Sequence, residues 1–202
     1  MKVSQQISMA IQSIIVGEPF LSSNFLAIGS RAAVDQALYR MAKSGEILRV
    51  ARGVYVKPKT NALIGAVQPG SQSIVAAISK ATGETIGITG VEAERLMGLT
   101  TQMQIRPVYT TSGRSRTIRA GKMEIQLKHV SSRKLSLATK PAGIAMLALW
   151  NRGQKKLNAQ EIKSVINRLE PNERKEMRSL LPLIPGWLAQ AIGFQQRGSE
   201  HA

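Results

Sequence analysis

The chain has 202 residues and a formal net charge of +16, from 28 Lys and Arg residues against 12 Asp and Glu residues. A charge so far from zero favours a polyanionic partner, either nucleic acid or an acidic membrane surface, although a merely basic soluble protein would share this composition. The sequence contains no cysteine, which excludes disulfides, thiolate metal sites and cysteine nucleophiles and is consistent with a reducing cytoplasm.

The first 45 residues have the pattern of three helices. Apolar residues recur at helical spacing over residues 3–16 and indicate the first helix. A short second helix is predicted after Ser22 or Ser23, either of which can cap it. Ser30 can cap a third helix, which continues to Gly45.

The third helix has an apolar and a polar side. Val34, Leu38 and Met41 form a stripe that we expect in the core, with Ala37 beside it. The opposite side offers a small residue, which permits close approach, and side chains that can hydrogen-bond to base edges. Its residues are Ala32, Asp35, Gln36, Tyr39, Arg40 and Lys43.

Two β-rich runs follow the third helix and predict a hairpin with Gly53 in its turn. Three short helices followed by a hairpin are the layout of a winged helix-turn-helix domain. In that layout the third helix enters the major groove of DNA and the hairpin contacts the flanking backbone or minor groove, which explains arginines at its tip. The predicted DNA-binding residues are Ser30, Arg31, Ala32, Gln36, Tyr39, Arg40, Lys43, Arg49 and Arg52.

The same pattern has a second interpretation. The arginines at the hairpin tip are also compatible with ordinary solvated charges on a domain that binds another protein. The alternative function is therefore a non-catalytic interaction module, in which the winged helix and a basic second domain bind a protein or an RNA. The salt dependence of duplex binding separates these functions, because a DNA-binding protein loses affinity steeply as salt rises.

Turn-forming residues between Pro58 and Gly70 predict a linker and a domain boundary near residue 60. We expect a winged helix over residues 1–60 and a mixed α+β domain, with a helical C-terminal part, over residues 61–202. The overall fold class is therefore α+β.

Helix and strand patterns alternate in the first part of this second domain. Helices are predicted over residues 73–80 and 90–97, and strands over residues 85–88, 105–110, 117–119 and 122–129. Helical patterns fill the sequence after residue 141. One of these helices has capping-box spacing, with Asn158 at its start and Glu161 three residues later.

A cationic stretch without acidic residues extends from Arg106 to Lys122, among these predicted strands. A loop that carries Arg114, Arg116, Arg119 and Lys122 can hold phosphates through charge and exposed backbone N–H groups. The alternative is a solvated sheet edge that its charge protects from aggregation. These four residues form a second candidate basic patch.

Residues 33–58, especially the run LYRMAKSGEILRVARGVYVKP, resemble the AbiEi-type antitoxin family of type IV toxin–antitoxin systems, which act in abortive infection. The resemblance continues in Gly90–Ala93, Leu96–Thr101 and Tyr109–Gly113 and covers residues 5–135. It implies an N-terminal winged helix that represses its own operon at an operator with inverted repeats. It also implies a C-terminal domain that neutralises a nucleotidyltransferase toxin encoded next door, without a stable complex between the two proteins.

A metal-dependent nuclease is the enzymatic alternative, because the strand around Glu124 faintly resembles the acid-x-lysine strand of restriction-type nucleases. Residue Gln126 stands where that motif needs lysine, and Asp35 is the only aspartate of a chain that lacks the converging carboxylates of two-metal chemistry. His129 and His201 have no partners at zinc-site spacing. We therefore expect no catalysis, metal or cofactor. No apolar run approaches the ~18 residues of a membrane span, so we expect a cytoplasmic protein without a membrane partner.

Overall fold

The computed structural model describes residues 2–61, 65–67, 70–120 and 123–199 and shows a mixed α+β protein. The α-helices are α1 (Val3–Gln12), α2 (Arg31–Lys43), α3 (Ser71–Thr82), α4 (Gly90–Leu96), α5 (Ser132–Ser136), α6 (Pro141–Arg152), α7 (Ala159–Asn167), α8 (Pro171–Leu180) and α9 (Gly186–Ser199). Short 3-10 helices cover Ser22–Phe25 and Leu181–Leu183. The strands are β1 (Pro19–Leu21), β2 (Leu48–Ala51), β3 (Val54–Val56), β4 (Lys59–Asn61), β5 (Gly65–Val67), β6 (Ile86–Ile88), β7 (Val108–Thr111), β8 (Arg116–Ala120) and β9 (Met123–His129).

The chain divides into two compact units. Unit 1 comprises Met1–Glu84 and Arg116–Gln126, and unit 2 comprises Thr85–Ser115 and Leu127–Ala202. In unit 1, α3 packs against β1 and β3, and β8 lies against β2. The expected separation into residues 1–60 and 61–202 as independent domains stays a prediction, although the contacts group α3 and β8 with the N-terminal elements.

The first helix is shorter than predicted, and an unpredicted strand follows it. α1 ends at Gln12 instead of residue 16, and the Gln12 carbonyl accepts a hydrogen bond from Nζ of Lys57 at 3.1 Å. The backbone N–H of Gly17 then donates to the Lys57 carbonyl at 2.8 Å, which leads the chain into β1. β1 pairs antiparallel with β3. Three residues are too few for the alternation of a strand to be visible in the sequence.

The predicted second helix is one turn of 3-10 helix without a side-chain cap. The capping role predicted for Ser22 is wrong because Ser22 is buried, and its backbone N–H donates to the Gly53 carbonyl at 2.9 Å. Ser30 caps α2 as predicted, since its hydroxyl accepts a hydrogen bond from the N–H of Ala33 at 3.4 Å.

Aromatic and aliphatic side chains of these helices and strands form a core in unit 1. Val34 and Leu38 are fully buried, which confirms the predicted apolar stripe of α2. Phe20 of β1 packs edge-on against Phe25, with ring centroids 5.7 Å apart, and stacks on Tyr55 of β3 at 6.1 Å. Burial of each large apolar side chain contributes about 1.5–3 kcal/mol, so these rings hold β1 firmly against the helices and β3.

The sheet formed by the first three strands has the order β1-β3-β2. β2 and β3 form the predicted hairpin, and Gly53 in its turn has a φ of +73°, a left-handed conformation that glycine adopts without steric cost. The register shifts between Arg49 and Ala51, an irregularity of the kind that increases strand twist. Every residue of β3 is buried, so the hairpin is anchored through this strand.

The segment predicted as a linker contains a second small hairpin. β4 and β5 pair antiparallel, with Lys59 opposite Val67 and Asn61 opposite Gly65. The segment predicted as a linker therefore includes two short paired strands.

The helices and strands predicted between residues 73 and 129 are present as α3, α4, β6, β7, β8 and β9, with ends displaced by a few residues. β6 pairs antiparallel with β7. The sequence division between the two units falls within β9.

Helix α6 is the central element of unit 2. Most of residues 142–149 are buried, because α4, α7 and α8 pack against this helix. The predicted capping box of α7 is confirmed, since Oδ1 of Asn158 accepts a hydrogen bond from the N–H of Glu161 at 2.9 Å. The buried carboxylate of Glu94 accepts a hydrogen bond from Nδ2 of Asn151 at 2.7 Å, which compensates part of its desolvation.

Strand β6 passes close to the segment that follows α5. A Cβ atom at Gly87 would lie 2.5 Å from the Cβ of Ala138 and 2.8 Å from its carbonyl oxygen. We expect Gly87→Ala to lower the free energy of unfolding by about 1–3 kcal/mol, the usual cost of overpacking, in urea titrations of the full chain. Gly186→Ala is the control, because no atom of the described residues lies within 4 Å of that Cβ position. Equal unfolding free energies for the two variants would contradict this close approach.

Candidate functional site

The polar side of α2 is exposed along the helix. Ala32, Gln36, Arg40 and Lys43 face solvent, and Tyr39 keeps 61% of its surface exposed. The buried residues of α2 lie on the other side of the helix, where they pack against α1. The side chains that were predicted to contact base edges are therefore accessible to a partner.

An ion pair lies at the N-terminal end of this surface. Nε of Arg31 donates to Oδ2 of Asp35 at 3.0 Å, between residues four apart in the helix. Both side chains are half exposed, so water weakens the pair and it contributes little to stability. The pair nevertheless holds the Arg31 guanidinium beside the only carboxylate of the predicted polar side. Ser30, which precedes it, uses its hydroxyl to cap the helix.

The hairpin tip carries two exposed cations. Arg49 lies on β2, opposite Tyr55 of β3, and Arg52 occupies the turn next to Gly53. Within the part of the chain that the structure describes, neither Arg49 nor Arg52 has an acidic partner or a side-chain hydrogen bond. Two guanidinium groups, each with several N–H donors, are therefore available to an external anion.

A groove brings the helix surface and the hairpin arginines together. Its volume is about 210 Å³. Its lining consists of Arg31, Asp35, Tyr39, Ala42, Arg49, Arg52, Gly53 and Tyr55. The sequence predicted helix and hairpin residues as two parts of one DNA-binding surface, and the groove places Arg31 and Tyr39 next to Arg49 and Arg52. Ser30, Ala32, Gln36, Arg40 and Lys43 are outside its lining.

The second candidate basic patch is not a single cationic loop. Arg114 belongs to unit 2, Arg116 and Arg119 lie on strand β8 in unit 1, and Lys122 is outside the described residues. Arg116 and Arg119 therefore lie on a strand and not in a loop, in agreement with the strand predicted over residues 117–119. A strand forms there because alternating residues, Ile118 among them, have a buried side to pack against.

Acidic partners accompany both strand arginines. Arg116 pairs with Glu84 at 2.9 Å, and Arg119 pairs with Glu124 at 3.1 Å. The cationic stretch contains no acid of its own, and only the tertiary structure brings these carboxylates to it. The Arg119 side chain is 80% exposed, so solvent weakens its pair, whereas Arg116 at 32% is better shielded.

A larger cleft in unit 1 joins the hairpin arginines to β8. Its volume is about 540 Å³. It is lined by Arg49, Val50, Ala51, Arg52, Val54, Ile78, Thr82, Glu84, Arg116, Thr117, Ile118 and Arg119. The domain boundary predicted near residue 60 separates the hairpin arginines from the β8 arginines, so the sequence does not predict this cleft. No local signal shows that β2 lies against β8, because the two strands are far apart in the chain.

The described residues do not include a cluster of three or more His, Asp and Glu side chains that could hold a metal ion. Nδ1 of His129, at the end of β9, lies 2.9 Å from the carbonyl oxygen of Gly113, and His201 is outside the described residues. Glu124, the acid of the nuclease-like strand, pairs with Arg119. Among the described helices, none is long and apolar enough to cross a membrane.

Residues 6–177 match a sequence model described as a family of unknown function, DUF6088. The chain belongs to this family. The matched segment includes all the residues of the groove and of the cleft. A search of the curated proteins found no match. The description of the family names no activity, so a function for this member has to be argued from its own residues.

Proposed function

We propose that the protein is a DNA-binding transcriptional repressor with an N-terminal winged helix-turn-helix, and that it acts as the antitoxin of a type IV toxin–antitoxin system. The observation that carries the DNA-binding proposal is the groove in which Arg31, Asp35 and Tyr39 of α2 meet the arginines of the hairpin, beside the rest of the exposed polar side of the helix. A helix surface suited to base edges and cations suited to phosphates are the two components that DNA recognition combines.

The order of elements in unit 1 supports the proposed winged helix. α1, β1, a 3-10 turn and α2 precede the β2–β3 hairpin, and β1 closes the sheet on the far side of β3. In this arrangement α2 is the recognition helix and the hairpin is the wing. An α-helix with its side chains is about 10–12 Å wide, which fits the major groove of B-DNA at about 12 Å.

Electrostatics supports the same orientation. Arg49 and Arg52 project from the wing without acidic partners among the described residues, while the acid on the α2 surface, Asp35, is paired with Arg31. A net charge of +16 also favours rapid association with a polyanion. Guanidinium groups bind phosphate oxygens with two parallel hydrogen bonds, so wing arginines are suited to fix the position of the protein on the backbone.

The antitoxin part of the proposal has a different basis. It depends on the resemblance of residues 33–58 and of three downstream segments to AbiEi-type antitoxins. That resemblance supplies the proposed autoregulation of an operon, the operator with inverted repeats and the functional partner, a nucleotidyltransferase toxin that forms no stable complex with the antitoxin. A cytoplasmic location and the absence of catalysis belong to the same proposal.

The first test concerns the wing. We expect Arg49→Ala and Arg52→Ala each to weaken binding to every duplex and to reduce the slope of log K against log salt by about 1, because phosphate contacts carry no sequence information. Fluorescence anisotropy of a labelled duplex at several salt concentrations measures this slope. Lys163→Ala, which removes one exposed charge from α7 in unit 2, is the control and leaves the slope unchanged. A wild-type slope in both arginine variants would contradict a DNA-contacting wing, and salt-insensitive binding by the wild type would favour the protein-binding alternative.

The second test concerns sequence recognition by α2. A specific duplex is first selected from a random pool with the full chain. We expect Gln36→Ala and Arg40→Ala each to cost ~1–3 kcal/mol on the selected duplex and to leave binding to random duplexes nearly unchanged. Both side chains are exposed, so unfolding temperatures are expected to match the wild type. Equal losses on selected and random duplexes would mean that this side of α2 does not recognise bases.

The third test concerns the antitoxin role. Expression of the neighbouring nucleotidyltransferase gene is expected to arrest growth, and co-expression of the full chain to restore it. The Arg49→Ala/Arg52→Ala double variant is expected to restore growth as well, because the resemblance places neutralisation in the C-terminal region. A neighbouring gene product without toxicity, or a wild-type chain without rescue, contradicts the antitoxin role but not DNA binding. Loss of rescue in the double variant would make neutralisation depend on the wing.

A further inference from the structure

The cleft in unit 1 has the dimensions of a small-molecule site. Its volume of about 540 Å³ falls in the range of about 300–1,000 Å³ that such sites occupy. β2 with the hairpin turn forms one wall, and strand β8 with the end of α3 forms the other. All of its lining residues belong to unit 1.

The lining combines an apolar surface with cationic edges. Val50, Val54, Ile78 and Ile118 line the floor of the cleft, where each exposes 8% or less of its surface. A ligand with an apolar ring or chain can cover this small aliphatic floor together with the methylene stems of the arginines around it. This aliphatic carbon distinguishes the cleft from a cluster of exposed charged groups, which an apolar group could not contact favourably.

Cations of the cleft outnumber its acids. Four arginines line it against a single carboxylate, Glu84, which pairs with Arg116. A second acid, Glu124, pairs with the largely exposed Arg119, and a phosphate can compete for such a solvated guanidinium. The two hairpin arginines have no acidic partner among the described residues. The cleft therefore has an excess of positive charge that an anionic ligand can neutralise.

We propose that this cleft binds an organic polyphosphate of the nucleoside triphosphate class. The phosphate groups bind the guanidinium groups of Arg49, Arg52 and Arg119, since planar guanidinium groups match phosphate oxygens geometrically. The organic part packs on the aliphatic floor of the cleft and on the methylene stems of its arginines. Inorganic phosphate alone would use the cations but would leave the apolar surface and most of the volume unfilled.

The position of two arginines gives this ligand a regulatory consequence. Arg49 and Arg52 line both the cleft and the groove that we propose for DNA. A guanidinium group that binds a ligand phosphate is less available to a DNA phosphate, so ligand and duplex weaken one another by the same factor. This consequence rests on the proposed function, whereas the ligand site itself does not.

ATP is the probe for the site, titrated calorimetrically into the full chain without DNA. We expect saturable binding with a Kd below about 1 mM, and tripolyphosphate, which lacks the organic part, to bind about fivefold or more weakly. Thr117→Glu adds a carboxylate to an exposed cleft residue, and Arg52→Gln removes a cation. Each is expected to raise the Kd for ATP by about tenfold or more, while Lys163→Gln, the charge-matched control in unit 2, changes it by less than about twofold.

Thermal unfolding of each variant shows whether it is folded. If Thr117→Glu disturbs β8, the Arg52→Gln variant still tests the site, because Arg52 is exposed in the hairpin turn. No saturable binding of ATP to the wild type overturns the site. An unchanged Kd in both cleft variants overturns its location. Equal affinity for ATP and tripolyphosphate overturns an organic ligand.

A second measurement separates the ligand site from its coupling to DNA. Saturating ATP is expected to raise the Kd of the wild type for a labelled duplex by about threefold or more and to leave the Kd of Thr117→Glu for the same duplex within about 1.5-fold of its own ATP-free value. Binding of ATP without an effect on duplex affinity overturns the coupling and retains the site. Binding of ATP by a chain that binds no duplex overturns the proposed DNA-binding function and retains the site.

Discussion

The pairing of β3 with strands on both of its edges is the constraint on which the rest of unit 1 depends. All three residues of β3 are buried, and Tyr55 stacks on Phe20 of β1. β1 joins this strand to the helical core, while β2 carries Arg49 along its other edge. β3 also packs against α3, so the hairpin is held by contacts beyond its own sheet. The hairpin arginines consequently lie beside α2, and together they line the groove.

Ion pairs are unevenly distributed among the arginines of unit 1. Arg31, Arg116 and Arg119 each have a carboxylate within 3.1 Å, whereas Arg49 and Arg52 have no acidic partner among the described residues. Exposed cations are stable in water without partners, so folding imposes little cost for leaving them unpaired. The hairpin arginines therefore retain their donors for an external polyanion. Their location between groove and cleft would let two anionic partners compete for the same groups, without any conformational change.

Unit 2 differs from unit 1 because its central element, α6, is a helix that is buried on most of its surface. α6 has small residues among its large ones, and Gly143 lies so close to the Leu137 backbone that a Cβ would meet the Leu137 carbonyl oxygen at 2.5 Å. Polar groups in this unit are paired where they are buried, as Glu94 is with Asn151. The family match extends through residue 177, so the matched segment includes α6, α7 and most of α8.

The sequence by itself determined the mixed α+β class. It also determined the apolar stripe of α2, the cap at Ser30, the β2–β3 hairpin and the capping box at Asn158, because each of these depends on residues within a few positions of one another. The exposed polar side of α2 followed from helical spacing alone. Only the tertiary structure decided that α1 stops at Gln12, that Pro19–Leu21 is a strand and that Ser22 is buried, since hydrogen bonds to Lys57 and Gly53 fix these features from more than 30 residues away. No local sequence pattern predicts the acidic partners of Arg116 and Arg119. The same is true of the cleft that these two arginines line together with the hairpin arginines. Pairing and packing between distant segments depend on the complete set of buried side chains, which no short window of sequence contains.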